Sequence, residues 1–176
     1  MSSEPVAPQL AIFAYGSLLF RPGFAYNERV RASLPGYARS FSQASPDHRG
    51  TPAHPGRVVT LVPHADAVTV GAVYFVPEPA QALLLELDER ERAGYERFSV
   101  EVSVAGARIR AVTWLATPGN AYDAGQLSPA SLAAHIRQST GPSGRNDDYV
   151  FRLESALAEL GATDPLVSEL CRLLRS

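Results

Sequence analysis

Seven consecutive residues near the start of the chain have the composition of an anion-binding turn. The segment Ile12-Phe13-Ala14-Tyr15-Gly16-Ser17-Leu18 is an apolar run that stops abruptly at Gly-Ser. Glycine lets the backbone approach a ligand closely, and successive N–H groups in such a turn can form an anion-binding concavity. The hydroxyls of Tyr15 and Ser17 add hydrogen-bonding groups. Taken alone, these residues favour a tight turn between buried strands, because Gly-Ser turns are common; a cradle for a carboxylate or an oxyanion is the alternative.

The second candidate is a carboxylate, Glu91, at the end of a helix predicted over residues 79 to about 91. At helical spacing, one apolar stripe of this segment contains Ala80, Leu83, Leu84 and Leu87. Glu91 continues the stripe four residues after Leu87. The other three carboxylates are predicted to be solvated: Glu86, Asp88 and Glu89. The pattern therefore directs one carboxylate of four toward the interior.

A carboxylate that faces the interior is suited to proton transfer. Its charge is costly there unless it is paired or protonated. Loss of water raises the pKa of such a group, which makes it a stronger base once it is ionised. The alternative is that Glu91 frays into solvent or pairs with a neighbouring arginine, and the spacing alone favours this alternative. The candidate arginines are Arg90, Arg92 and Arg97.

Other polar clusters match no standard cofactor or metal motif. The acidic and histidine residues between positions 47 and 66 lack metal-ligand spacing, so neither a metal nor a cofactor is predicted. Residues 141–146 form a Gly-rich loop that opens a helix. The loop lacks the Lys-Ser/Thr ending of a P-loop and follows no strand, so it is interpreted as a turn with a helix cap at Asn146. Tyr122 lies in the loop after a predicted hairpin, where a tyrosine more often packs its ring than contacts a ligand.

The elements that must position these residues are mainly strands, followed by helices. Strands are predicted at 12–14, 29–42, 58–62 and 68–76, with a break at Pro35-Gly36, and residues 43–52 are predicted to be a long loop. Period-2 alternation at 98–104, a turn at Ala105-Gly106 and a return at 109–115 predict a hairpin. Later helices are predicted at about 128–138, 146–160 and 165–175. The pattern indicates an α+β fold, a small mixed or antiparallel β-barrel with flanking C-terminal helices.

Composition narrows the class of protein. The chain has 176 residues, is 45% hydrophobic and 19% charged, and carries a formal net charge of −2. These values predict a single domain over residues 10–176 after a disordered tail at 1–9, with no nucleic-acid partner. The sequence shows no secretory signal and no apolar stretch long enough to span a bilayer. The lone cysteine, Cys171, excludes an intrachain disulfide, so we expect a cytoplasmic protein. We expect neither a membrane partner nor an obligate protein partner.

Five blocks of the sequence together resemble one enzyme family. They are Tyr15-Gly16-Ser17-Leu18, Asp47-His48-Arg49-Gly50-Thr51-Pro52, and residues 55–62, 87–95 and 141–146. Their order and spacing are similar to those of the ChaC-type gamma-glutamylcyclotransferases over about residues 10–160. Tyr-Gly-Ser-Leu alone is weak evidence, but the combined set is highly specific.

The resemblance implies an enzyme that degrades glutathione on a gamma-glutamylcyclotransferase-type barrel. The products would be 5-oxoproline and cysteinylglycine, and no cofactor is implied. Glu91 matches the family's acid/base, and residues 12–18 match the segment that binds the gamma-glutamyl group. Tyr122 matches a tyrosine near the site. The cysteinylglycine carboxylate is left without an assigned partner; Arg49, Arg57 and Arg145 are candidates by charge alone.

Two departures from the family's motifs leave the substrate open. Ala14 stands where the usual motif has glycine, and Ser42 stands where an Arg-Phe-Trp-Gln-Gly-Ser pattern has tryptophan. Loss of the tryptophan could reshape a wall of the pocket and alter the preference for the leaving group. Two alternatives therefore remain at this stage. One is a cyclotransferase for other gamma-glutamyl amino acids or amines, and the other is a ligand-binding regulator without turnover.

Overall fold

The computed structural model describes residues 9–176, which form a closed barrel with helices outside it. The long strands are β1 (Gln9–Ala14), β2 (Glu28–Ser45), β3 (Gly56–Pro77), β4 (Tyr95–Val104) and β5 (Ala107–Ala116). The helices are α1 (Gln81–Arg90), α2 (Pro129–Gln138), α3 (Asn146–Glu159) and α4 (Pro165–Arg175), with a short 3-10 helix at Ser17–Leu19. Two short strands, β6 (Thr140–Gly141) and β7 (Gly144–Arg145), form a small ribbon before α3. The predicted α+β barrel with C-terminal helices is confirmed.

The barrel closes in the order β1-β3-β2-β4-β5 and is of the mixed type. All neighbouring strands run antiparallel except β1 and β5, which pair in parallel at Ile12 and Val112. Large apolar side chains of β1 and β3 are buried on both faces of the sheet, among them Phe13 and Tyr74, which are 0% and 1% exposed. β1 lies between β3 and β5 in the closed sheet.

The structure corrects the prediction of two separate strands at 58–62 and 68–76, because β3 is continuous. β3 pairs with β2 on both sides of a register shift, at residues 56–63 and 68–75, and residues 64–67 between them have no partner on β2. The intervening residues Pro63, His64 and Asp66 read as a loop because they are polar or turn-forming. They lie in an exposed stretch of the β2–β3 ribbon, where the strand has no core to face. Similarly, part of the predicted loop at 43–52 belongs to β2, since Gln43 is 1% exposed and Ser45 ends the strand.

Most other predicted element boundaries are close to those observed. The β4–β5 hairpin is confirmed, with Ala105 and Gly106 at positive φ in its turn. The Ser128 hydroxyl caps α2 by accepting from the Ser131 N–H at 3.2 Å, and Asp164 caps α4. The first helix, α1, starts at Gln81 rather than at Pro79, and Glu91 is the residue that caps its C-terminal end.

The predicted cap at Asn146 is wrong. Asn146 is the first residue of α3, and its fully buried side chain turns away from the helix. Its amide oxygen accepts from the Arg57 N–H at 2.7 Å, and its amide nitrogen donates to the Arg57 carbonyl at 2.8 Å. The residue therefore ties α3 to the start of β3, which is a tertiary role that helix-capping rules do not predict.

The described part of the chain does not test the predicted domain boundaries. Residues 1–8 of the predicted tail lie outside it, and Gln9 is the first residue of β1. No helix within residues 9–176 is both long and apolar enough to cross a bilayer.

Candidate active site

A cavity of about 410 Å³ opens where β1 ends and α1 ends. Its volume lies within the range of small-molecule sites, about 300–1,000 Å³. The wall brings together two groups of residues that are far apart in sequence. One is the turn at residues 13–18, and the other includes Glu91, Tyr95 and Tyr149. The two candidates from the sequence, the turn and the carboxylate, therefore line one space.

The turn presents backbone donors to this cavity. Its carbonyls are used, since Gly16 O accepts from the Leu19 N–H at 3.0 Å and Ser17 O accepts from the Arg21 N–H at 2.8 Å. The N–H groups of Gly16, Ser17 and Leu18 have no hydrogen-bond partner within residues 9–176. Successive free N–H groups of this kind can hold a carboxylate or an oxyanion.

Position 16 of the turn has no room for a side chain, so glycine is required there. A Cβ added to it would lie 2.9 Å from Val59 Cγ1 and 3.3 Å from the Tyr149 hydroxyl oxygen. Both distances are shorter than ordinary van der Waals contacts. Absence of a side chain therefore allows β3 and α3 to approach the turn.

Glu91 lies at the C-terminal end of α1 with its side chain in the cavity wall, 19% exposed. Burial is the main cause that raises the pKa of Glu91, and the charge of Asp47 raises it further. The Arg90 guanidinium opposes both, with Nε 3.7 Å from Glu91 Oε1. The sequence analysis treated an interior-facing Glu91 and a Glu91 paired with a neighbouring arginine as alternatives, and the structure shows both together. The result is a desolvated carboxylate with one nearby cation.

Asp88 departs from its predicted solvated position. Its carboxylate accepts from the Trp114 indole N–H at 2.9 Å and lies 3.6 Å from Arg97 Nη2. Trp114 belongs to β5 and lines the cavity. Asp88 therefore holds the last turn of α1 against the barrel, three residues before Glu91.

Three tyrosines with raised pKa values surround the carboxylate. The Tyr15 hydroxyl donates to the Trp114 carbonyl at 2.6 Å, and the Tyr95 hydroxyl donates to the Val59 carbonyl at 2.7 Å. The Tyr149 oxygen accepts from the Val59 N–H at 3.2 Å. Burial raises the pKa of each, and Glu91 contributes to each increase. All three are therefore neutral hydroxyls at physiological pH.

The family model for the ChaC-like protein matches residues 10–176. The chain belongs to the ChaC-like family. Its relatives include gamma-glutamylcyclotransferase 2-3 of Arabidopsis thaliana, 37% identical over 93% of this chain and 87% of that protein. The glutathione-specific gamma-glutamylcyclotransferase of Saccharomyces cerevisiae is 33% identical over 85% of each chain.

A solved structure has the same fold as this ChaC-like chain. The crystal structure of a gamma-glutamylcyclotransferase specific to glutathione from yeast superposes with a TM-score of 0.89. It covers 95% of this chain and 96% of the yeast chain at 30% identity. The gamma-glutamylcyclotransferase-like fold implied by the sequence resemblance is confirmed.

Two predicted binding residues of this ChaC-like chain do not line the cavity. Ile12 is 0% exposed and precedes the cavity-lining Phe13 directly on β1, so its side chain points to the opposite face of the sheet. Tyr122 is 38% exposed, and its backbone carbonyl accepts from the Ala44 N–H at 2.8 Å. The loop thus meets the site region through its backbone, and a binding role for the Tyr122 side chain stays a prediction.

The three candidate arginines have different surroundings. Arg49 lines the cavity; it donates to the Arg145 carbonyl at 2.9 Å and lies 3.5 Å from Asp148. Arg57 donates to backbone carbonyls, including that of Gly125 at 2.6 Å, and does not line the cavity. Arg145 is exposed and pairs with Asp147. Arg49 alone of the three can therefore contact a ligand without rearrangement.

Sequence reasoning missed several residues of the cavity wall. They include Arg21, Asp47, His48, Arg90, Tyr95 and Tyr149. Asp47 and His48 carried a signal, since they lie in a polar segment after β2 and in a block shared with the family. Tyr149 carried none, because it reads as an ordinary core position of an amphipathic helix.

Cys171 does not contribute to the site. It is fully buried between helices, and its Sγ lies 3.7 Å from the Val150 carbonyl. Burial raises the pKa of this thiol to about 12. A thiol with so high a pKa carries almost no thiolate at neutral pH, so Cys171 is unsuited to act as a nucleophile.

Proposed function

We propose that this chain cleaves glutathione by cyclising its gamma-glutamyl group, which releases 5-oxoproline and cysteinylglycine. Glu91 is the acid/base in this proposal, and the turn at residues 13–18 binds the gamma-glutamyl group. Membership of the ChaC-like family and relatives named for this reaction support the activity. The observation that supports the residue roles is the shared cavity, whose wall contains both a desolvated carboxylate and a turn with unpaired backbone N–H groups.

The first step makes the substrate's own amine the nucleophile. At neutral pH the α-amine of the glutamyl group is largely protonated, so a base must remove one proton. Glu91 accepts this proton, and the amine nitrogen then attacks the γ-carbonyl carbon. A C–N bond forms, and the electron pair of the carbonyl π bond moves to the oxygen.

The second step returns the proton. The oxyanion collapses to a carbonyl, and the original amide C–N bond breaks with its electron pair passing to nitrogen. Glu91 gives its proton to this departing nitrogen, which becomes the amine of cysteinylglycine. The carboxylate then accepts the second proton of the ring nitrogen, which leaves the neutral lactam, and passes it to the released amine. One carboxylate thus serves in turn as base and acid, for which a raised pKa is suitable.

Binding must fold the glutamyl chain so that its amine meets its own γ-carbonyl. Ring closure is intramolecular, so the enzyme's contribution is orientation and charge stabilisation. The free N–H groups of Gly16, Ser17 and Leu18 are suited to fix the α-carboxylate. A carboxylate held there orients the amine on the same carbon toward Glu91.

The test is direct measurement of 5-oxoproline by mass spectrometry after incubation with glutathione. Glu91→Gln preserves the shape of the side chain and removes the base, so we expect activity to fall by about 10²–10⁴-fold. Glu89→Gln is the matched control, since Glu89 is 71% exposed and lies on the other side of α1; we expect wild-type activity. Absence of product from the wild-type protein would exclude the proposed function, and full activity of Glu91→Gln would exclude Glu91 as the base.

A substrate panel tests the specificity. Glutathione is compared with gamma-glutamyl amino acids and gamma-glutamylamines by kcat/KM. We expect glutathione to be preferred, as the names of several relatives indicate for those proteins. A higher kcat/KM for a gamma-glutamylamine would assign this chain a different substrate within the same reaction class.

A cytoplasmic location completes the proposal. The lone thiol of Cys171 is buried and free, which suits a reducing compartment. Fractionation of cells with detection of the tagged protein tests this, and recovery in an extracellular or membrane fraction would contradict it.

A further inference from the structure

Tyr149 occupies a fixed position beside the turn that lines the cavity. It projects from α3, is 3% exposed, and its hydroxyl oxygen would lie 3.3 Å from a Cβ built on Gly16. Phe20 and Phe41 pack edge-on against its ring, with centroids at 5.7 and 6.2 Å. The Arg49 guanidinium lies 5.6 Å from the ring centroid. The ring is therefore held on several sides with its hydroxyl toward the turn.

The hydroxyl of Tyr149 has an unused proton. Tyr15 and Tyr95 each donate their hydroxyl proton to a backbone carbonyl. The oxygen of Tyr149 instead accepts from the Val59 N–H, and its own proton has no acceptor within residues 9–176. A buried hydroxyl that donates to nothing is uncommon, because an unsatisfied polar group loses its hydration without compensation. Among the cavity tyrosines of the described chain, Tyr149 alone has a donor available for a ligand.

The position of this donor relative to Glu91 indicates which ligand atom it meets. Glu91 must reach the attacking amine nitrogen and the leaving nitrogen, and both are bonded to the γ-carbonyl carbon in the intermediate. Tyr149 and Glu91 line the same cavity, and the Glu91 charge contributes to the raised pKa of the Tyr149 hydroxyl. The hydroxyl therefore stays protonated and lies in the same region as the reacting carbon.

We propose that Tyr149 is a further catalytic residue, whose hydroxyl donates a hydrogen bond to the γ-carbonyl oxygen of the substrate as this oxygen becomes an oxyanion. The inference rests on the proposed function. No proton is transferred in this contact: the hydroxyl keeps its hydrogen, and the bond shortens as charge builds on the carbonyl oxygen. The Val59 N–H polarises the hydroxyl by donating to its oxygen, which strengthens it as a donor.

The test is Tyr149→Phe, which removes only the hydroxyl. Loss of one oxyanion donor typically lowers kcat by about 10²–10³-fold, and we expect this loss with KM nearly unchanged. Tyr95→Phe is the matched variant, because the Tyr95 hydroxyl also bonds Val59 but already donates its proton to the Val59 carbonyl. We expect its loss of kcat to be much smaller, although both variants lose one hydrogen bond to Val59.

A binding measurement separates a catalytic from a structural role. A phosphinate analogue carries a tetrahedral, anionic centre in place of the γ-carbonyl. Tyr149→Phe should weaken binding of this analogue by a factor comparable to its loss of kcat. Binding of glutathione itself, measured in the Glu91→Gln background, should change little. A structural defect would weaken both ligands together.

The outcomes that overturn the inference are distinct from those that overturn the function. If the wild-type protein forms no 5-oxoproline from glutathione, the proposed function is wrong. If the wild-type protein is active and the Tyr149→Phe variant is equally active, only the role assigned to Tyr149 is wrong. A rise in KM with unchanged kcat would also overturn it, because the hydroxyl would then contact the ground state and the transition state equally.

Discussion

At the scale of single residues, environment rather than residue type distinguishes the candidate catalytic groups. Glu89 and Glu91 are chemically identical and two positions apart, yet their side chains are 71% and 19% exposed. Burial raises the pKa of Glu91, and the Arg90 guanidinium partly reverses this increase. The pKa of the Glu91 carboxyl is therefore set by a balance between desolvation and neighbouring charges, of which Arg90 is the largest.

Removal of the Arg90 charge should shift the pH profile. Arg90→Gln leaves desolvation unopposed, so the pKa of Glu91 rises and less of the carboxylate is ionised at a given acidic pH. We expect the acidic limb of kcat/KM to move to higher pH, measured from acidic to neutral pH with glutathione. Arg92→Gln is the control, since Arg92 is 71% exposed and pairs with Glu89. A limb that stays in place, or moves to lower pH, would contradict this electrostatic account.

At the scale of elements, α3 is positioned by one buried amide. Asn146 forms two hydrogen bonds with the backbone of Arg57, and these join the first residue of α3 to β3. Tyr149 lies one turn farther along the same helix. The placement of a hydroxyl in the cavity wall therefore depends on a contact at the start of α3.

Asn146→Ala should destabilise the protein measurably. It leaves the N–H and the carbonyl of Arg57 without their partner in a buried position, and each unsatisfied group costs about 1–3 kcal/mol. We expect the free energy of unfolding in urea to fall by at least about 2 kcal/mol. Asn27→Ala, at an exposed position, should change it by no more than about 0.5 kcal/mol. Equal stabilities of the two variants would refute the role of Asn146.

At the scale of the whole molecule, Arg39 connects the barrel, the candidate site and the last helix. Its buried guanidinium donates to the Tyr15 carbonyl at 3.0 Å, to the Val70 carbonyl at 2.6 Å and to the Asp164 carboxylate at 3.1 Å. Asp164 in turn caps α4. One charge thus links the start of the turn to an element more than a hundred residues away.

Asp164→Asn tests this link, because asparagine can still cap α4 but carries no charge. The Arg39 charge then stays buried without a counterion. Removal of one partner from a buried pair costs about 3–5 kcal/mol, and we expect the lower end because Asp164 retains 14% exposure. The measurement is urea unfolding, with exposed Asp66→Asn as the neutral control. A stability equal to that of the wild type would show that the backbone carbonyls alone satisfy Arg39.

Local patterns in the sequence predicted the elements whose causes are local. Alternation in the β4–β5 hairpin, the Ser-Pro start of α2 and the apolar stripe of α1 are set by residues a few positions apart. The same holds for the turn at residues 15–18, whose residue types favoured a tight turn and left an anion site as the alternative. Recognition of the family added the substrate and related the turn to Glu91. The continuous β3 was missed because its residues 64–67 bulge out between two stretches that pair with β2, and a local pattern does not show that both stretches meet the same strand.

Only the tertiary structure decided which buried polar groups are already paired and which remain available. Tyr149 and Val59 are 90 residues apart, and Arg39 and Asp164 are 125 apart. Their contacts exist because the barrel closes and the helices dock against it, so no local spacing encodes them. The sequence by itself determined the fold class and, through the family resemblance, singled out the turn and the carboxylate as site candidates. The tertiary structure determined the desolvation of that carboxylate and the free hydroxyl beside it, since both depend on atoms brought together from distant parts of the chain.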